Sequence, residues 1–208
     1  MLLAKPIIPI TIVAGFLGAG KTSLINHLLQ NDYSQCPAVL VNDFGEVKLE
    51  VETVPIGKIQ LVQGCICCSS RDELQSSVFQ MSNAKSPPGH LLIEAGGLAD
   101  PTAIVKALKI WELEARVITQ SVIAVVAADQ ILRLKSDMAQ LARVQISSAS
   151  LVVLNKVDLV SKRQLKRILR WLQAVNAELP IVTVEFGRLP KDAFTKIVPE
   201  SLAYQEKL

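Results

Sequence analysis

Residues 15–22 read GFLGAGKT and match the pattern GxxxxGKT at every fixed position. The apolar run IIPITIVAG (7–15) leads into this stretch, and a helical pattern over 21–31 follows it. Glycines in a strand-to-helix turn let backbone N–H groups wrap around phosphate oxygens, and the helix adds the positive end of its dipole. The stretch therefore predicts a phosphate-binding loop, or P-loop, and the alternative is a glycine-rich turn that binds nothing.

Two side chains of this motif have predicted chemical roles. Lys21 is expected to reach the β- and γ-phosphates and to act in catalysis, and the Thr22 hydroxyl is expected to bind Mg²⁺. The glycine spacing differs from the dinucleotide pattern GxGxxG. The predicted nucleotide-binding residues of the loop are Gly15, Gly18, Ala19, Gly20, Lys21, Thr22 and Ser23.

Strand and helix patterns alternate along the rest of the chain. Several strand candidates are apolar throughout, as expected for parallel strands that are covered on both faces. The alternation predicts an α/β fold of the P-loop NTPase type, a doubly wound and mostly parallel sheet with helices on both faces. We predict one domain over 1–190 and a tail or short helix over 191–208. Strand candidates are 7–15, 38–43, 57–63, 90–95, 121–128, 150–156 and 180–186; helix candidates are 21–31, 71–83, 101–115, 129–148 and 161–178.

Composition narrows the class of protein. The chain has 208 residues, of which 50% are hydrophobic and 20% are charged, as in globular proteins. The net charge of +3 is too small to indicate nucleic acid. The apolar N-terminal run is interrupted by two prolines and leads into the P-loop, so we reject a signal peptide. No apolar run is long enough for a membrane span, so we expect a cytoplasmic protein that binds neither nucleic acid nor membrane.

A second motif selects the base. LVVLNKVD (151–158) places NKxD directly after an apolar strand. Asp158 can accept both the ring N–H and the exocyclic amine of guanine, Asn155 can reach the other edge, and the Lys156 stem can lie along the base. Adenine lacks that pair of donors and would leave the buried carboxylate unpaired. The motif therefore predicts guanine recognition. The alternative is a loop with an ordinary helix-starting Asp.

Acidic residues follow two other predicted strands. Glu94 ends the strand of LLIEAGG (91–97), where it can hold a metal-bound water or position the attacking one. Asp43 and Glu46 in VNDFGEV follow the second predicted strand, and either can contact Mg²⁺, water or a second metal. We assign Asp43 and Glu94 to catalysis and Glu46 to metal binding; a strand-end or loop acid facing solvent is the alternative for each.

Three of the four cysteines lie in QGCICCSS (63–70). In the cytoplasm thiols stay reduced, so clustered thiols indicate a metal or redox site more often than a disulfide. Cys65, Cys67 and Cys68 suit Zn²⁺, Co²⁺ or Cu⁺. So few thiols rarely complete a tetrahedral site, and an incomplete sphere suits a metal that is handed on. Redox chemistry and simple packing are the alternatives.

The basic stretch SKRQLKRILRWL (161–172) reads as an amphipathic helix. Its basic face can meet an acidic partner or nucleic acid. A solvated outer face on a helix that covers the sheet is the interpretation we favour.

In chain order, GFLGAGKT, VNDFGEV, QGCICCS, IEAGGLADP and NKVD resemble the CobW-type metallochaperone GTPases, which are relatives of the urease and hydrogenase accessory GTPases. The resemblance runs from about residue 8 to about 190. It implies that the chain hydrolyses GTP to GDP and phosphate with Mg²⁺, holds Zn or Co at Cys65, Cys67 and Cys68, and couples nucleotide state to delivery to a client metalloprotein. Glu94 would be the strand-end acid of the family's ExxG pattern.

The chain departs from that family in three places. Members usually continue into a second domain, often with a histidine-rich segment, whereas this chain has only His27 and His90. Ala127 stands where the family strand has Asp, and Lys48, Leu49 and Glu50 follow GEV. These changes point to slow hydrolysis. The oligomeric state is not fixed by the sequence, and a homodimer is one arrangement it allows.

Two other functions fit parts of the pattern. A module that senses metal or nucleotide with little turnover would explain Ala127 and the missing domain. A small-molecule kinase would explain GxxxxGKT, but NKVD and the lack of an evident lid segment argue against it.

Overall fold

The computed structural model describes residues 7–31, 37–42 and 71–197; the predicted strand 57–63 lies outside them. The strands are β1 Ile8–Ala14, β2 Pro37–Asn42, β3 His90–Ala95, β4 Val117–Ala127, β5 Leu151–Asn155 and β6 Ile181–Thr183. The helices are α1 Lys21–Gln30, α2 Arg71–Ser82, α3 Pro101–Leu108, α4 Trp111–Glu114, α5 Ser136–Ser147, α6 Lys162–Val175 and α7 Lys191–Ile197.

The six described strands form one sheet in the order β2-β3-β1-β4-β5-β6. Every pairing between them is parallel. Each residue of β1, β3 and β5 is buried, which agrees with apolar strands that are covered on both faces. The predicted doubly wound α/β fold is confirmed, and the carboxyl ends of all strands meet at one edge.

Helices cover both faces of the sheet. Alternate residues of β4 show this: Ile123 and Val125 pack with α1 and α7, whereas Ala124 and Val126 pack with α5 and α6. The helices α2 and α3 cover the β1–β3 part of that second face. The phosphate-binding helix α1 and the last described helix α7 therefore share a face, opposite the helices in the middle of the chain.

Two predicted helices are interrupted. The stretch 101–115 is divided into α3 and α4, because Ile110 adopts an extended backbone at φ −124° and ψ 148°. The stretch 129–148 begins with a 3₁₀ turn at Ile131–Arg133, and Leu134 and Lys135 are extended before α5 starts. The strand β4 begins at Val117, earlier than the predicted residue 121, because it pairs with β1 from Ile8 onward. The β4 boundary therefore depends on strand pairing rather than on local pattern.

Local signals located other boundaries correctly. Asp100 caps α3 by accepting the Thr102 N–H at 2.8 Å, and Pro101 occupies the first turn. The helix α6 buries Ile168 and Leu172 against the sheet and leaves its five basic side chains exposed, as expected for a covering helix. None of the described helices combines the length and the apolarity that a membrane span requires.

A buried polar chain crosses the middle of the sheet. The Thr11 hydroxyl on β1 lies 3.0 Å from Nε2 of His90 and 2.9 Å from the Ser121 hydroxyl. The His90 ring stacks on Phe194 of α7, with the ring centroids 6.1 Å apart. Burial lowers the pKa of His90 from 6.5 to about 4. His90 is therefore neutral in the folded protein at pH 7 and joins the first strand to the last described helix.

Acid is expected to destabilise the fold through His90. The unfolded chain binds a proton near pH 6.5, but folded His90 does so only near pH 4. The stability that neutral His90 contributes above pH 6.5 is therefore lost as the pH falls toward 4. The free energy of unfolding should fall by about 2 kcal/mol between pH 7 and pH 5. Urea denaturation at both pH values measures this loss. His90→Gln should flatten the dependence; equal pH slopes for native protein and His90→Gln would contradict the assignment.

Candidate functional site

The P-loop connects β1 to α1 and needs glycine for two close approaches. Gly15 has φ 140°, and a Cβ there would collide with the carbonyl oxygen of Val125 on β4. Gly20 has φ 98°, and a Cβ there would collide with the side-chain amide of Asn155 on β5. The loop is therefore seated directly against the ends of the two strands that follow β1 in the sheet.

Lys21 begins α1 with its side chain turned into the loop. It is only 8% exposed, and its Nζ donates to the carbonyl of Gly15 at 2.9 Å and to that of Phe16 at 3.4 Å. These bonds hold an ammonium group inside the turn, where the N-terminal end of α1 also contributes positive potential. The arrangement provides the positive environment that a bound polyphosphate needs.

Thr22 and Glu94 meet at the same edge, although 72 positions separate them in the chain. The Thr22 hydroxyl donates to Oε1 of Glu94 at 2.7 Å. Glu94 is 7% exposed at the end of β3, where it pairs with Val13 of β1. A hydroxyl and a carboxylate side by side are oxygen ligands of the kind that Mg²⁺ prefers. The structure thus brings together two of the residues that were predicted separately.

The NKVD segment forms a tight turn after β5. Lys156 adopts the left-handed backbone at φ 60°, and Val157–Leu159 form one 3₁₀ turn. Asp158 lies exposed on that turn, and Lys156 is partly buried. The left-handed residue reverses the chain at the strand end, so Asp158 stays at the edge that carries the P-loop.

Asn155 has contacts that sequence reasoning did not foresee. It is 2% exposed, its Nδ2 donates to the carbonyl of Ala19 at 3.0 Å, and its Oδ1 accepts the N–H of Gly187 at 3.0 Å. The sequence-based prediction assigned it to one edge of the base. Its observed partners are backbone groups of two loops, so Asn155 ties the P-loop to the segment that follows β6.

Sequence analysis missed this segment, residues 184–189, because the predicted strand 180–186 extended into it. The strand β6 ends at Thr183, and Phe186 and Gly187 both adopt positive φ, at 54° and 71°. A Cβ on Gly187 would press against the backbone of α1. Phe186 is 67% exposed, with the Arg188 guanidinium 5.8 Å from its ring centroid. The glycine at position 187 was the available turn signal.

The remaining predicted site residues lie outside the described part of the chain: Asp43, Glu46, Cys65, Cys67 and Cys68. Within residues 7–31, 37–42 and 71–197, no group of three or more His, Cys, Asp or Glu side chains is arranged to hold a metal ion. The described site therefore comprises the P-loop, the Thr22–Glu94 pair, the NKVD turn and the 184–189 segment.

Comparisons with known proteins agree with this geometry. The model of the CobW/HypB/UreG nucleotide-binding domain matches residues 9–183. The zinc chaperone YjiA of Escherichia coli K12 is 32% identical over an alignment of 190 positions, gaps included, that covers 86% of this chain and 58% of that protein. The zinc chaperone CobW of Pseudomonas aeruginosa is 31% identical over an alignment of 220 positions, gaps included, that covers 88% of this chain and 58% of that protein.

A solved structure is similar as well. The crystal structure of Zn(II)-bound YjiA GTPase from E. coli superposes with a TM-score of 0.61 at 30% identity, over 86% of this chain and 57% of that one. The chain thus spans about half the length of the curated relatives it matches. The matched part, residues 9–183, contains the P-loop, Glu94 and NKVD. By this match and by its fold, the chain belongs to the CobW/HypB/UreG family.

Proposed function

We propose that this chain binds GTP with Mg²⁺, hydrolyses it to GDP and phosphate, and uses the nucleotide state to control a zinc ion destined for a client metalloprotein. The observation that carries the proposal is the meeting of the P-loop, Glu94 and NKVD at one edge of the sheet, with Asn155 bonded to the P-loop. Relatives named zinc chaperones support the metal part.

The phosphate chemistry follows from the P-loop side chains. Lys21 would move its ammonium from the loop carbonyls to the β- and γ-phosphate oxygens, and Thr22 with Glu94 would hold Mg²⁺ directly or through water. The bound cation neutralises charge on the phosphates. The oxygen of a water molecule would form a bond to the γ-phosphorus while the bond from that phosphorus to the β–γ bridging oxygen breaks, and the proton of the water would pass to the released phosphate, leaving GDP and phosphate. Because Thr22 hydrogen-bonds to Glu94, we assign Glu94 to holding Mg²⁺ rather than to positioning the attacking water. We assign the positioning of that water to Asp43.

Base selection rests on the NKVD turn. Asp158 would accept the ring N–H and the exocyclic amine of guanine, and the stem of Lys156 would lie along the base. Asn155 would act mainly by holding the P-loop at a fixed distance from this turn, since its amide already bonds Ala19 and Gly187. The resulting site couples recognition of the base to the shape of the phosphate loop.

The metal part rests on the segment that carries the three thiols. It follows β2, whose last residues Val41 and Asn42 pair with Glu94 and Ala95 of β3. The chain therefore enters residues 43–70 at the edge where the Thr22–Glu94 pair lies. A segment that starts there can respond to the γ-phosphate and Mg²⁺. Cys65 and Cys67 would bind Zn²⁺ or Co²⁺, with Cys68 or Glu46 as a further ligand, and the coordination sphere would stay incomplete.

The test is a metal titration in three nucleotide states. One Zn²⁺ should bind per chain, about 5–150-fold more tightly with a non-hydrolysable GTP analogue than with GDP, as typical coupling energies give. Affinity should weaken as pH falls because the thiols must lose protons. Cobalt–thiolate absorption reports the site directly.

Matched cysteine variants complete the test. Cys65→Ser combined with Cys67→Ser should remove the cobalt–thiolate band and spare GTP binding, whereas Cys36→Ser should leave the band intact. Equal metal affinity in all nucleotide states would mean that the thiols form a passive site and that the chaperone proposal fails.

A further inference from the structure

The turn after Glu94 touches the P-loop. Residues 96–99 form a tight turn that is closed by the Ala99 N–H donating to the Gly96 carbonyl at 2.9 Å. Gly97 is buried against Leu17, and a Cβ on Gly97 would collide with that side chain. The P-loop and the turn therefore pack directly on one another, and a shift of one displaces the other.

A buried side chain forms hydrogen bonds to the same turn. Gln145 of α5 is 2% exposed, and its Nε2 donates to the carbonyl of Ala99 at 2.9 Å and to that of Gly97 at 3.4 Å. Its helix neighbours Ala142 and Ile146 belong to the apolar core. A buried amide in such surroundings is costly unless it is paired, so both bonds matter for where the turn sits.

We propose that Gln145 is a positioning residue that fixes the 96–99 turn beside the P-loop and thereby favours a nucleoside triphosphate over a diphosphate. This rests on the proposed function. In the proposed complex Lys21 and Thr22 would face the β- and γ-phosphates, and the Glu94 that accepts a hydrogen bond from Thr22 lies two residues before the turn. The γ-phosphate would then be the part of the nucleotide nearest the turn, and GDP would stop short of it. A turn already held in place is ordered at less cost when the γ-phosphate binds.

The expected result is selective. Gln145→Met keeps the length of the side chain and removes both donors. It should weaken a non-hydrolysable GTP analogue about 10-fold, in the range of one or two lost hydrogen bonds, and change GDP affinity by less than about 2-fold. Gln140→Met, on the exposed part of the same helix, should change neither affinity. Isothermal titration gives the affinities, and urea denaturation gives the stability of each variant.

A second variant separates positioning from general packing. In Gln145→Glu the ionised carboxylate faces two carbonyl oxygens and has no donor, whereas the protonated acid donates one hydrogen bond to Ala99. Burial raises the pKa of such a carboxyl group. The ratio of analogue to GDP affinity should therefore recover toward the native value as pH falls from 8 to 6, measured against native protein at each pH. A residue that served packing alone would give no such recovery.

The outcomes are distinct. Gln145→Met with an unchanged affinity ratio, or with both nucleotides weakened equally, overturns the inference. If that variant does not fold, a pH-independent ratio in Gln145→Glu overturns it. Native protein that binds neither the GTP analogue nor GDP would instead refute the proposed function. A selective loss for the analogue, with GDP binding and stability retained, supports the assignment.

Discussion

Lys21→Ala is expected to lower kcat for GTP hydrolysis by at least about 10²–10³-fold, the cost of removing one preorganised donor at a developing charge. Lys21 is the one charged residue of the loop sequence GFLGAGKT, so no neighbour in the motif replaces it at the γ-phosphate. Its ammonium already lies inside the loop, bonded to Gly15 and Phe16. Affinity for a GTP analogue should fall more than affinity for GDP, because we expect the ammonium group to contact the outer phosphates.

The control for this prediction addresses burial. Because Lys21 is 8% exposed, Ala also removes a buried stem. Lys21→Met keeps the stem and should lose turnover equally, and Lys166→Met on the exposed face of α6 should behave as native protein. Phosphate release under single-turnover conditions is the measurement. Hydrolysis at the native rate in Lys21→Met would show that the P-loop assignment is wrong.

Asp158→Asn is expected to exchange the base that the site accepts. Native protein should bind GTP at micromolar or tighter affinity. It should bind ATP at least ~100-fold more weakly, a difference in binding free energy of about 2.7 kcal/mol. An amide at 158 offers one donor and one acceptor, which mismatches the two donors of guanine. Xanthine presents a carbonyl where guanine has its amine, so the variant should lose GTP and gain xanthosine triphosphate.

Fluorescence competition with the three triphosphates measures this exchange. Asp137→Asn on α5 is a matched exposed control and should keep the native preference. The hydrolysis rate of the variant with saturating xanthosine triphosphate should approach that of native protein with GTP, because the phosphate site is untouched. Equal affinity of native protein for ATP and GTP would refute guanine recognition at this turn.

The sequence predicted the parts of the molecule that depend on local order. GxxxxGKT, the apolar strands and the Asp100 cap each carry their signal within a few residues, and the structure agrees with each. The proximity of Thr22 and Glu94 agrees with the general rule that parallel strands place their carboxyl ends at one edge.

What the sequence missed depends on contacts between distant segments. Phe186 adopts a positive φ, which a non-glycine residue seldom does, and no local pattern predicts it. The same holds for Asn155 and Gln145, whose amides bond backbone groups of loops far away in the chain. A polar residue in an apolar segment can be read from sequence, but its partner cannot.

The central position of β1 has a consequence for biosynthesis. This strand pairs only with β3 and β4 among the described strands, and Val117 is synthesised about 100 residues after Ala14. At ordinary ribosomal rates of about 5–20 residues per second, β4 is synthesised about 5–20 s after the uncharged segment IPITIVA of β1. Pro9 lacks an N–H and so blocks continuous pairing with a foreign strand. We expect this proline to reduce such pairing until the partners of β1 have been made.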